Sequence, residues 1–156
     1  MFRRLVAAAI SAFTLAFAPL AAEACPDWRL QPVFGSIQLP GGFMPDPYVR
    51  NITAGGTQRL TRCGFNWDGF VASRPDFDLY YGGGYAQLTI AVTSRADAIL
   101  LVSAPNGDWY YSDDYRGTNP AVTFRNPQAG LYDIWIGTWD GSRRNPGQLI
   151  ITEYNY

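Results

Sequence analysis

Four aspartates carry most of the chemistry this chain could do. Asp113 and Asp114 stand side by side in SDDYRGTN, from Ser112 to Asn119, and Asp76 and Asp78 sit two apart in PDFDLYY. The loop after Ser112 offers two carboxylates, the amide of Asn119, the hydroxyl of Thr118 and a glycine for sharp turning. Calcium takes roughly six to eight oxygen ligands and needs neither nitrogen nor sulphur, so Asp113, Asp114 and Asn119 are a candidate calcium loop. Asp76 and Asp78 form a second candidate. The spacing is not that of an EF-hand, and the same aspartates could instead bond to backbone amides of their own loop, as Asx-turns do. Asp78 could equally pair with an arginine across a sheet.

Catalysis is a different matter. The chain has no histidine and no lysine, and its twelve basic residues are all arginines. Ser-His-Asp, Cys-His and Ser-Lys mechanisms therefore lack their base. Imidazole ligands for zinc are missing too. Paired carboxylates could hydrolyse a glycoside, and of the candidates only Asp76 and Asp78 would share one face of a strand. No catalytic residue is assigned.

Aromatic residues supply the other signal, at 15% of the chain. Trp109, Tyr110, Tyr111 and Tyr115 crowd beside the aspartate loop, and alternation puts Trp109 and Tyr111 on one face of a strand and Tyr110 on the other. An open face of rings beside carboxylates would make a sugar-binding platform. A closed one would be core, which is the expectation for Tyr132 and Trp135.

These residues hang on one hairpin. Ala98 to Ser103 and Asp108 to Ser112 read as strands around Asn106-Gly107, a dipeptide that suits a type I′ turn because both residues accept positive φ. Around it, period-two stretches recur about every ten residues between turn residues. Tyr48 to Thr53, Gln58 to Arg62, Phe70 to Ser73, Asp76 to Tyr81, Ala86 to Thr93, Leu131 to Thr138 and Leu149 to Tyr154 are the expected strands. A short one over Val33 to Leu39 is compatible with the pattern. No stretch after the leader has helical periodicity. Such spacing predicts an all-β, antiparallel β-sandwich.

Residues 1–24 read as a signal peptide: Arg3 and Arg4 precede an apolar run that closes on small residues. Removing them leaves ten arginines against twelve acids, a net charge of −2, and no basic surface for nucleic acid or anionic lipid. No membrane anchor is expected after cleavage. Export also makes Cys25 and Cys63 a disulfide. It would tie the Pro/Gly-rich segment 25–47 to a sandwich domain spanning 48–156.

The order PDFDLYYGGGYAQLTIAVTS, ADAILLVSAPNGDWYYSDD, NPAVTF, AGLYDIWIGTW and GQLIITEY resembles the bacterial pre-peptidase C-terminal domain. The carrying positions are Asp76, Asp78 and Tyr80, then Leu88 to Val92, Asp97 to Leu100, Pro105 to Gly107, Ser112 to Asp114 and Gly130 to Ile136. The chain is also similar to small secreted alphaproteobacterial proteins that carry a serine-peptidase label. The resemblance implies a sandwich of jelly-roll type, and calcium binding of the kind such domains show in collagenases. The expected function is a secreted or periplasmic, non-catalytic binding or assembly module, stabilised by calcium, with a protein or polysaccharide partner. A carbohydrate-binding or glycoside-hydrolysing accessory protein is the alternative. A self-assembling subunit that pairs its strand edges into homo-oligomers is a third reading.

Overall fold

The computed structural model describes residues 24–156, and the expected signal peptide lies almost wholly outside them. Eleven strands build two sheets: β1 (Ser36–Leu39), β2 (Tyr48–Ala54), β3 (Gln58–Arg59), β4 (Phe70–Val71), β5 (Phe77–Tyr81), β6 (Gln87–Ser94), β7 (Ala98–Ser103), β8 (Trp109–Ser112), β9 (Ala121–Arg125), β10 (Gly130–Thr138) and β11 (Asn145–Thr152). No α-helix occurs among the described residues, and Leu60–Cys63 forms one 3-10 turn. The larger sheet is centred on β10, with β7 and then β8 on one side. On its other side lie β5, which leads to β1, and further along β4, which leads to β3. The smaller sheet runs β2-β11-β6-β9. The two pack face to face as a sandwich that does not close into a barrel.

Alternation decides what lies between the sheets. Leu88, Ile90 and Val92 of β6 and Leu149 and Ile151 of β11 meet Leu100 and Val102 of β7 and Tyr132, Ile134 and Ile136 of β10. All of them are buried. The outward-facing residues of the larger sheet are not all solvated. Ile99, Leu101 and Trp135 join Leu60 and Val71 in a second buried cluster on that outer face. The Leu60–Cys63 turn and the loop after it act as its lid. Gly137 permits the close approach, because a Cβ there would stand 2.0 Å from the Phe70 carbonyl oxygen.

Three expectations need correction. The all-β sandwich is as expected and its strand pairs are antiparallel with one exception: β1 pairs with β5 in parallel, Ser36 opposite Asp78. The segment 25–47 is therefore part of the sheet and not only a tether. A second anchor reinforces this: the Gly42 N–H donates to both oxygens of the Glu153 carboxylate at 2.8 and 3.1 Å, and the Tyr81 hydroxyl donates to the same group. The hairpin is present with Ala98–Ser103 as expected, but its turn is not type I′. Only Gly107 has positive φ, +83°, and the Gly107 N–H donates to the Ala104 carbonyl. Pro105 fixes the φ of a type I turn's second position, so the loop is three residues long with Gly107 as its left-handed closing residue. Finally, the last strand begins at Asn145 rather than Leu149, because β11 pairs with β2 from there onward.

Candidate functional site

The β7–β8 hairpin ends beside the β9–β10 turn, and a cleft of about 260 Å³ opens between them. Its apolar wall is a chain of rings. Tyr110 meets Phe124 edge to face at 4.8 Å, and Phe124 meets Tyr132 in the same way at 5.0 Å. Its polar wall comes from Asn106, Thr123, Arg125, Asn126 and Gln128. Several of these are held in place. The Asn106 amide nitrogen donates to Asp108 at 2.6 Å, the Arg125 guanidinium donates to Gln87 at 2.9 Å, and the Tyr132 hydroxyl donates to the Gln128 carbonyl at 2.9 Å. Asn126 has a φ of +49°, a conformation that asparagine tolerates better than most residues and that turns the chain into the wall. The cleft thus pairs aromatic surface with amide and guanidinium donors and has no carboxylate in its lining.

Of the four aromatics expected to bind a ligand, only Tyr110 lines this cleft. Trp109 and Tyr111 face the other way, as alternation requires, into the second cluster. Tyr111 stacks on Trp67 at 5.3 Å with planes 6° apart, and Trp109 packs on Trp135 at 5.3 Å and on Phe65 at 5.2 Å. The Tyr111 hydroxyl donates to the Asp68 carbonyl, and burial raises its pKa. These half-buried rings pack on one another over the second cluster. Tyr115 is exposed and lies near Tyr156, away from the cleft-lining residues. Cys25 and Cys63 are bonded, which ties the lid of the second cluster to the amino-terminal segment.

The aspartates part company. Asp76 does not act with Asp78. Its Oδ2 accepts the Ile136 N–H at 2.6 Å, in the stretch of β10 between the end of β5 and the start of β4. The Gly55 N–H donates to the Ile136 carbonyl, so a side chain and a loop together replace the missing ladder partner. Burial pushes the Asp76 carboxyl up to about 8. Asp78 instead faces Asp133, its direct partner across β5 and β10. The two carboxyls lie within hydrogen-bonding reach of one another, and among the described residues no arginine pairs with either. Burial raises Asp78 to about 6, and burial together with the charge of Asp78 raises Asp133 to about 7.

Asp113 and Asp114 lie on a separate acidic edge. Asp113 accepts the N–H of the next residue, Asp114, at 2.9 Å, and the Asn119 amide oxygen accepts the Ser94 N–H at 2.8 Å. Burial raises the neighbouring Asp97, and the charges of Asp114, Asp113 and Asp140 add to it. Among the described residues no three cysteines, aspartates or glutamates are gathered as a metal ion would require. Asp76 and Asp78 lie apart from this loop in β5 and the residue before it.

Sequence reasoning passed over Asp133 as a partner and over the cleft. Asp133 carried a signal, a lone acid between apolar residues in a strand whose two faces are both covered. The cleft carried none, because Thr123, Asn126 and Gln128 acquire meaning only when β9 and β10 are seen beside the hairpin.

No family model matches this chain, and no curated protein matches it. Among solved structures it is similar to PliG of Aeromonas hydrophila, a periplasmic inhibitor of g-type lysozyme. The two share 16% identity over 76% of this chain and 96% of that one, with a TM-score of 0.38.

Proposed function

We propose that the chain is a non-catalytic binding module of an exported protein, and that its partner inserts one polar-edged group into the cleft at the β7–β8 hairpin end. The observation that carries this reading is the cleft's lining: Tyr110, Phe124 and Tyr132 offer apolar surface while Asn106, Arg125, Asn126 and Gln128 offer donors and acceptors around it. Specific small sites are built that way, with apolar contact area and a few fixed polar groups. The volume, about 260 Å³, suits one sugar ring or one side chain of a larger partner. A sugar ring is the better match, because side-chain amides and a guanidinium bond hydroxyls and ring oxygens without requiring charge on the ligand.

The absence of catalysis is supported by the residue inventory, which has no histidine or lysine anywhere. The two carboxyls that do come together, Asp78 and Asp133, are buried and contribute nothing to the cleft lining. Export is supported by the Cys25–Cys63 bond, which belongs in an oxidising compartment.

The test is a titration of mono- and disaccharides into the labelled protein, followed by amide chemical shifts. Shifts centred on Asn106, Arg125 and Asn126, abolished by Arg125→Ala, are the expected result. Saccharides that leave these amides unmoved, or that move only the outer aromatic cluster, would overturn the reading.

A further inference from the structure

We propose that Asp78 and Asp133 hold a single proton between them in the folded protein, forming an acid-stabilised clasp across β5 and β10 that loosens as the surroundings turn alkaline. The geometry is that of a direct cross-strand pair on one face of an antiparallel ladder, which brings the two side chains together. Both residues are buried, at 8% and 4% exposure. The Oδ1 atoms of Asp78 and Asp133 are both enclosed without a hydrogen-bond partner. Two ionised carboxylates could not satisfy each other there, since each only accepts. One proton turns a carboxylate into a donor and leaves its neighbour as the acceptor, which resolves both the missing bond and the like-charge contact.

The surroundings supply no other remedy. Ser36 of β1 stands opposite Asp78, and Ser103 of β7 stands opposite Asp133. On β5 itself the same face carries Tyr80 and, just before the strand, Asp76. On β10 it carries Leu131 and Trp135. The titratable groups on this face are thus Asp76, Tyr80 and, opposite Leu101 on β8, Tyr111, all of which add negative charge or none. No arginine is bonded to either carboxyl among the described residues.

The sign follows from the pair's raised affinity for a proton. Both groups titrate above the ordinary aspartate value of 3.8. The unfolded chain therefore binds fewer protons than the folded one between that value and neutrality, and stability falls as pH rises through the window. The pair also has two macroscopic steps rather than two private ones. An exported protein that meets a changing exterior would carry in this clasp a sheet that tightens in mild acid.

The experiment compares melting temperature against pH, from about pH 5 to about pH 8, in the wild type and in Asp78→Asn and Asp133→Asn. The wild type is expected to lose melting temperature across that range, and each variant to lose visibly less, because an asparagine amide replaces the shared proton as donor. Variants that keep the full wild-type slope would overturn the clasp. Should both variants fail to fold, carbon-13 carboxyl shifts of the wild type decide. One step at or above about pH 6 that both the Asp78 and the Asp133 carboxyl carbons report supports the proposal, and two independent steps near about pH 4 refute it.

Discussion

Tyr110 and Tyr111 are neighbours on β8, yet they serve opposite sides of the larger sheet: Tyr110 meets Phe124 at 4.8 Å beside the cleft, and Tyr111 stacks on Trp67 at 5.3 Å under the lid. One short edge strand therefore joins the inner core to the outer cluster. Substitutions on its two faces should separate binding from stability. Trp67→Ala removes the stack on Tyr111 and the contact with Phe65, and is expected to cost about 3 kcal/mol in urea unfolding. Saccharide shifts at Asn106 and Asn126 should persist in the same variant under native conditions.

Reducing the Cys25–Cys63 bond should be costly in proportion to the chain it closes. The sequence separation is 38 residues, and the chain-entropy model gives about 4 kcal/mol for a loop of that size. A clear drop in melting temperature is expected for Cys25→Ser/Cys63→Ser. The loss should appear first as exchange of amides in the Leu60–Cys63 turn, since that lid is what the bond holds down.

The strands were readable from alternation wherever one face meets the core and the other is polar, as in Leu88, Ile90 and Val92. Ala98 to Ser103 was placed to the residue. Legibility failed where the partner is distant in sequence. Nothing local in Ser36–Leu39 announces a parallel pairing with β5, and nothing in PDFDLYY says that Asp76 turns to the backbone of Ile136 while Asp78 turns to Asp133. The aromatic patch is legible as a cluster, but its packing partners are not, because Phe65 and Trp67 lie more than forty positions upstream of Trp109. Asn106-Gly107 marked the hairpin correctly, and Pro105 decided the turn type.

Asp76 makes a pH prediction of its own, distinct from the paired aspartates. Burial raises its carboxyl to about 8 from 3.8. The folded state thus holds a proton that the unfolded state has released, and stability declines as pH climbs between those values and levels off above them. Asp76→Asn keeps an oxygen to accept the Ile136 N–H and removes the charge. Its urea midpoint should vary less with pH than that of the wild type, and should exceed it above about pH 9. Equal slopes in the two proteins would show that Asp76 is not the group that titrates.

Gly137 and Gly107 separate close approach from backbone conformation. A Cβ on Gly137 would stand 2.0 Å from the Phe70 carbonyl oxygen and 2.9 Å from Ile99 Cγ1, with ordinary backbone angles. The obstacle is therefore steric and involves backbone, which cannot rotate aside as a side chain can. Gly137→Ala has to push β4 off β10, and with β4 goes the lid over Trp135, so a loss of about 3 kcal/mol or more is expected. Gly107 has the opposite problem. Its φ is +83°, and nothing lies within 4 Å of a Cβ placed there. Gly107→Ala should cost only the left-handed strain of a non-glycine residue, about 1 kcal/mol, with the hairpin and the cleft intact. The two variants, measured by the same denaturant titration, should differ by about 2 kcal/mol or more. Near-equal costs would mean that β4 yields easily, and that the lid over the outer cluster is held by the disulfide rather than by β10.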